Sequence, residues 1–374
     1  MPSPSFQEQL RETTPRLYVT PLLIGVNVAV FAVIGYWGAG LFEADGWLYV
    51  KWGANYGPLT ASGQWQRLLT HAFLHFGIVH LALNMWVLFE VGRLVERLYG
   101  PVFFALIYLG AAITGGFASL LWHEHPHISV GASGAIFGVY GALLAYLLIR
   151  GDTLPRAVIK HLALIALVFV GVSMAYGLLQ SGIDNAAHIG GLAGGCALGL
   201  ICARPLGAAV RRRRDPVRLL LGLAGLSVLS VILASLTPKP VYDVARELDF
   251  NITVDWFRDQ ERAANTAFNH WVRQAKSGKL EAIDFARQLE RQPLAYWQAI
   301  YQRLQPIDLT RGSPSYVSYR LLLEFSKARR DALLALIDGL RHNDSQRLQQ
   351  FHALQRRAED ILDEINRSPP NAAP

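Results

Sequence analysis

The chain has 374 residues, 52% of them hydrophobic and only 17% charged, with a formal net charge of +7. Its apolar residues come in blocks rather than evenly spread, which points to a membrane protein rather than a soluble globule. A positive balance would suggest nucleic acid in a soluble chain; here the placement of the charges matters more than their sum, and no nucleic-acid partner is expected.

Residues 1–16, with Arg11 and Arg16, form an N-terminal tail. Runs near the roughly 20 residues needed to cross a bilayer then occur at 18–40, 76–92, 101–122, 131–149, 158–180, 185–203 and 217–236, predicting seven spans. The first run lacks a small-residue cleavage pattern and is followed by further spans, so it reads as a retained helix rather than a cleaved signal. Between spans one and two, residues 41–75 carry Trp47, Trp52, Tyr56, Trp65 and Phe73 among glycine and polar residues, the composition of an outer loop lying partly in the membrane interface.

The basic residues fall between alternate spans: Arg93 and Arg97 after the second, Arg150, Arg156 and Lys160 after the fourth, Arg204 and Arg211–Arg214 after the sixth. By the positive-inside rule these segments, and the N-terminal tail, are cytoplasmic. The seventh span then delivers the C-terminal part to the outside of a cell (inner or plasma) membrane. The expected division is a 17–203 core, a 204–216 Arg-rich loop, a 217–236 seventh helix, and a 237–374 extracytoplasmic domain. That domain opens with the stiff linker Thr237-Pro238-Lys239-Pro240; 281–304 and 317–366 then place large apolar residues at helical spacing, predicting about four soluble helices before a Ser-Pro-Pro tail. Its charged faces read as a solvated surface or as a client- or adaptor-recruiting one. Cys196 and Cys202 both sit in the sixth span, so no disulfide framework is expected.

The stretch Ser129-Val-Gly131-Ala132-Ser133-Gly134 sets a serine between two glycines at the outer end of the fourth span. The first N–H groups of a helix lack intrahelical partners and sit at the positive end of its dipole, so a developing oxyanion beside Ser133 has donors at hand. Serine is a weak nucleophile until a base takes its proton. The sixth span supplies a histidine at matching depth, His188, with Gly191 and Gly195 following on nearly the same face, small enough to let two helices approach. A carboxylate to complete a triad is not obvious: Asp184, one turn before His188, reads as an N-cap of the sixth span. We therefore expect a Ser133–His188 dyad. Glycines serving helix packing alone, around two incidental polar residues, is the alternative.

His71, His75, His80 and Asn84 invite a metal reading. On a single helix His71 and His75 lie about 40° apart, as do His80 and Asn84, but the two pairs face nearly opposite sides and could not share an ion. His80 and Asn84 read as inward oxyanion donors or as polar glue between helices, and His71 and His75 as structural. The His123-Glu-His125-Pro-His127 loop is expected to be solvated, with a metal role as the alternative, and the site as a whole is expected to need neither a metal nor another cofactor.

These residues together resemble the rhomboid family of intramembrane serine proteases. The resemblance covers about 47–203 and rests on Gly131-Ala-Ser133-Gly134, Ala187-His188 with Gly191 and Gly195, the His71/His75/His80/Asn84 pattern, and Arg67 in Trp65-Gln66-Arg67. It implies a helical polytopic bundle of six spans plus one, with Ser133 as nucleophile, His188 as general base and acid, and His80, Asn84 and the Ser133 amide as oxyanion donors. Transmembrane proteins would be the substrates, cut near their outer ends. The sequence departs from the family at Gln66, where an aromatic often precedes the arginine, and at Phe137, where a tyrosine often lies under the catalytic histidine. A non-enzymatic scaffold or a transporter is the competing reading; the sequence shows no internal symmetry of the kind many transporters carry, and both Ser133 and His188 are present.

Overall fold

A computed structural model describes residues 6–42, 46–123, 127–151, 154–180, 182–205 and 215–367. Arg211–Arg214, His125 and the Ser-Pro-Pro tail, all used above, lie outside the described residues. The chain divides into two compact units, Met1–Lys239 and Pro240–Ala373.

Seven helices of the first unit are long and apolar enough to cross a membrane: Val19–Gly38, Gly77–Tyr99, Pro101–Trp122, Ser133–Arg150, Arg156–Leu179, Asn185–Cys202 and Asp215–Leu236. The chain is a helical, multi-pass membrane protein. The third and fourth spans are buried along most of their length, whereas the fifth and seventh expose most of theirs. The bundle is thus built around the third, fourth and sixth spans.

Their close packing follows from glycine. A Cβ at Gly191 would run into the Gly134 carbonyl, and one at Gly195 into the Gly138 carbonyl. Without side chains at these points the fourth and sixth helices meet backbone to backbone, where dispersion contacts accumulate without any help from water. The Tyr99 hydroxyl faces the Ala142 and Gly199 carbonyls of the two helices at 2.9 and 3.1 Å, tying the two helices together beyond the Ser133 end.

The second span is longer than its apolar run suggests. A π-helical turn at Leu88–Gly92 carries it on through Arg93–Tyr99, so Arg93 and Arg97 belong to the helix rather than to a loop, and Gly100 alone separates the second span from the third. The extension is held by Glu96. This buried carboxylate accepts from the Tyr18, Val19 and Thr20 N–H groups (2.8, 2.9 and 2.8 Å) and from the Thr20 hydroxyl (2.7 Å), satisfying donors that the first turn of the first span would otherwise leave orphaned. Arg97 Nη1 donates to the Thr14 carbonyl at 2.7 Å.

Between the first and second spans the chain folds into short helices, Gly46–Lys51, Gly57–Ala61 and Arg67–Thr70. Asn55–Tyr56 pairs antiparallel with Ile128–Ser129, joining this loop to the segment that leads into Ser133. Periodicity gives no sign of such a short strand pair.

The second unit is a helical domain of four principal stretches, Val244–Lys276, 282–304, Tyr316–His342 and Ser345–Arg367. The second of these passes through a π turn at Glu290–Leu294 that accommodates Pro293. Phe250, Phe257, Leu289, Trp297, Phe325 and Ile361 belong to its core. Asp243 caps the first helix, accepting from the Ala245 and Arg246 N–H groups at 3.0 and 3.2 Å.

Candidate active site

Ser133 is the first residue of the fourth span, and His188 stands in the first turn of the sixth. The glycine-mediated approach of the two helices sets His188 Nε2 2.9 Å from Ser133 Oγ. Phe137, one turn beyond Ser133, stacks on the imidazole with centroids 4.2 Å apart and planes 4° from parallel. A phenyl ring thus fixes the face of the base without a hydroxyl.

Gly131 is the reason the serine is uncovered. Its φ of +128° is one that side-chain-bearing residues rarely adopt. A Cβ there would also stand 2.9 Å from His80 Cε1 and Nε2 and 3.7 Å from Ser133 Oγ, filling the space between them. That space belongs to a cavity of about 570 Å³ lined by His80, Asn84, Ser133, Phe137 and His188. Asn84 Nδ2 donates to the His80 carbonyl, 2.9 Å away on the same helix. That bond engages one of the two Nδ2 hydrogens; the second, or a turn of the amide, would serve a ligand.

The four-residue pattern His71/His75/His80/Asn84 does not lie on one helix, as the angular argument supposed. His71 begins a 3₁₀ turn, and the second span starts only at Gly77. Gly77 has a φ of +83°, and a Cβ there would meet the Phe42 carbonyl oxygen at 2.8 Å, so the chain breaks at this glycine. The break brings the His75 and His80 rings edge to face at 5.1 Å instead of holding them on opposite sides.

His71 and His75 are structural, and what they tie down is the segment before Ser133. The His71 carbonyl accepts from the Gly131 N–H at 2.9 Å, and His75 Nε2 faces the Ala132 N–H at 3.4 Å. They hold the loop that presents Ser133. Burial pushes the His75 imidazole down to about 3, helped by the neighbouring His80, and burial lowers His71 as well, so both are neutral near pH 7.

Arg67 is buried and ties the interfacial loop: Nη1 donates to the Val50 and Ala54 carbonyls at 2.6 and 2.9 Å, and Nε to Gln64 Oε1 at 2.8 Å. Gln66 is exposed beside it. Gly134 meets the Ala187 carbonyl, and Gly191 and Gly195 make the close approach described above.

Asp184 is the N-cap of the sixth span, accepting from the Ala187 N–H at 2.9 Å. Burial alone would raise its carboxyl, but His123, the neighbouring Ser119 hydroxyl, the Ala187 N–H and the neighbouring Ser129 hydroxyl outweigh that and hold it well below the usual carboxylate range. His123 and His127 are half-buried rather than solvated. Their rings stack at 4.2 Å, and His123 Nε2 is 3.4 Å from Asp184 Oδ1. Two features escaped the sequence reading: at the site, the reach of Asp184 back to the His123 and His127 segment, and far from it, the capping of the first span by Glu96. In each case a charged residue beside an apolar run was the available signal.

A family model described as Rhomboid domain matches residues 62–205. The rhomboid protease GluP of Bacillus subtilis (strain 168) is 38% identical over 224 residues, which cover 58% of this chain and 42% of GluP. RHOMBOID-like protein 7 of Arabidopsis thaliana is 35% identical over 220 residues, 51% of this chain and 69% of that protein. The rhomboid protease AarA of Providencia stuartii is 31% identical over 212 residues, 50% and 73% of the two chains. With the family model lying across the spans that carry Ser133 and His188, and with these relatives matched over more than two thirds of two of them, the chain belongs to the rhomboid family.

Proposed function

We infer that this protein is an intramembrane serine endopeptidase that cuts transmembrane segments of other membrane proteins near their outer ends. The observation that carries the reading is the 2.9 Å contact between Ser133 Oγ and His188 Nε2 beside an open cavity. The relatives GluP and AarA, both rhomboid proteases, support it.

The Ser133 hydroxyl passes its proton to His188 Nε2 as Oγ attacks the scissile carbonyl carbon, whose π electrons move onto oxygen. The backbone N–H of Ser133, freed from intrahelical bonding by its place in the first turn, faces that oxyanion together with His80 and Asn84 Nδ2. The protonated His188 then delivers its proton to the leaving amine, giving an acyl-enzyme and the first product. A water molecule, deprotonated by the same imidazole, attacks the ester and restores Ser133. Every group in this sequence is a side chain or amide of the chain, and no cofactor enters it.

The charges of Arg150, Arg156, Lys160 and Arg204 support a cytoplasmic N-terminus and an outer position for the Ser133 end of the fourth span. In this orientation the unit after Pro240 lies outside. Ser133→Ala and His188→Ala, assayed against a transmembrane reporter, should each lose about four to six decades of turnover, because nucleophile and base act as one unit. A serine-directed phosphonate should label the wild-type chain but not Ser133→Ala. Cleavage at near wild-type rate by either variant would overturn the assignment.

A further inference from the structure

Beside the same cavity, whose lining includes His127 and Asp184, three metal-ligating side chains converge that the proteolytic chemistry does not use. His123 closes the third span, His127 leads into the segment before Ser133, and Asp184 caps the sixth span. One ligand atom from each lies within 4.8 Å of the others. A tetrahedral ion with nitrogen and oxygen ligands at about 2.0–2.2 Å spaces them about 3.3–3.6 Å apart. The His123–Asp184 contact, at 3.4 Å, already has this spacing, and a His127 ring nitrogen lies within 4.8 Å of both partners.

An ordinary His–Asp hydrogen bond accounts for His123 alone. It does not account for a second imidazole stacked on the first, nor for the unpartnered atoms around it. His127 Nε2 is buried with no hydrogen-bond partner among the described residues. The Asp184 side chain is only 9% exposed, and with the Ser119 and Ser129 hydroxyls beside the carboxylate its Oδ2 still completes no well-formed hydrogen bond. Buried polar atoms without partners are destabilising, and a shared cation removes that penalty.

We propose that His123, His127 and Asp184 form a binding site for one divalent transition ion, with zinc as the reference metal and water filling the remaining position. Two imidazoles and a carboxylate are the donor set that suits zinc, whereas magnesium and calcium favour all-oxygen shells. A bound ion would clip the segment leading to Ser133 onto the first turn of the helix that carries His188. It is an accessory site beside the cavity, separate from the dyad.

The test uses the full-length Ser133→Ala chain in lipid nanodiscs, purified on a histidine-free tag, stripped with chelator and titrated with zinc chloride alone. Binding is read by equilibrium dialysis with elemental analysis, so it is independent of turnover and survives even if the protease assignment fails. One zinc per chain is expected, with nitrogen and oxygen but no sulfur neighbours at about 2.0 Å in X-ray absorption. His123→Ala with His127→Ala should abolish stoichiometric binding. Asp184→Asn, which retains a good helix cap, should weaken it at least tenfold while leaving the zinc-free melting temperature nearly unchanged. His342→Ala should bind as the parent does. Absence of bound zinc at about 100 µM, or full occupancy in the double variant, would overturn the site.

Discussion

The two units are both helical, yet they cohere in opposite ways. The C-terminal unit is held by large side chains excluded from water: Trp297, with 1% of its surface exposed, packs among Phe257, Phe325 and the guanidinium of Arg329, which lies over its ring. The membrane unit is held at its centre by the lack of side chains, with Gly191 and Gly195 pressed on the backbone of the fourth span. The contrast teaches where stability comes from in each solvent. Burial of apolar area drives the first, but lipid is as apolar as leucine and rewards only closeness of fit. Deleting atoms should therefore damage one unit, and adding atoms the other.

The largest effect expected from this contrast is Trp297→Ala, at about 3–5 kcal/mol of the stability of the C-terminal unit. Chemical denaturation of the full chain, followed by tryptophan-independent helicity, measures it. Gly191→Ala should cost about 3 kcal/mol in the membrane unit, at the upper end for overpacking, because the obstructing atom is a backbone carbonyl that cannot rotate away. Gly171→Ala, in the fifth span with nothing within 4 Å of the added methyl, should be neutral. If Gly191→Ala and Gly171→Ala melted alike, close helix approach would not be what holds this unit together.

Asn84→Ala probes whether polar groups in the membrane unit serve packing or the site. Turnover should fall about ten- to a thousandfold with little change in melting temperature. An unchanged rate with lowered stability would make Asn84 helix glue instead.

A smaller effect concerns pH. The folded value of His75, pushed down to about 3 from an ordinary 6.5, means that the unfolded chain takes up this proton first as pH falls. The stability contributed by the neutral ring is complete above pH about 6.5 and is lost progressively as pH falls from there towards about 3. Melting temperatures of the purified protein should drop between pH 7.5 and 5, and His75→Gln should flatten that slope. Equal slopes would remove His75 from the account.

The smallest effect belongs to the surface of the C-terminal unit. Arg287 reaches Asp284 at 2.7 Å, but both side chains are about half exposed. Arg287→Ala should cost no more than about 0.5 kcal/mol, screened further by salt.

Much of the membrane unit was legible in the linear chain, because spans are dictated by the cost of placing polar backbone in lipid, and that cost is paid residue by residue along the sequence. Seven apolar runs could be counted, and Ser133, His188 and their glycines stood out as polar or bare positions where lipid demands neither. What could not be read were features settled by partners distant in sequence. The break at Gly77 depends on the Phe42 carbonyl, and without it His75 and His80 looked as if they faced apart. The helical continuation through Arg93 and Arg97 depends on Glu96 capping a helix 76 to 78 residues away. The meeting of Asp184 with His123 and His127 depends on how the third and sixth spans end at one level. Residue type and spacing alone determined which chemistry this chain has available; only packing decided which atoms stand within 3 Å of one another, because distances between helices are set by the surfaces that meet and not by the order in which they are written.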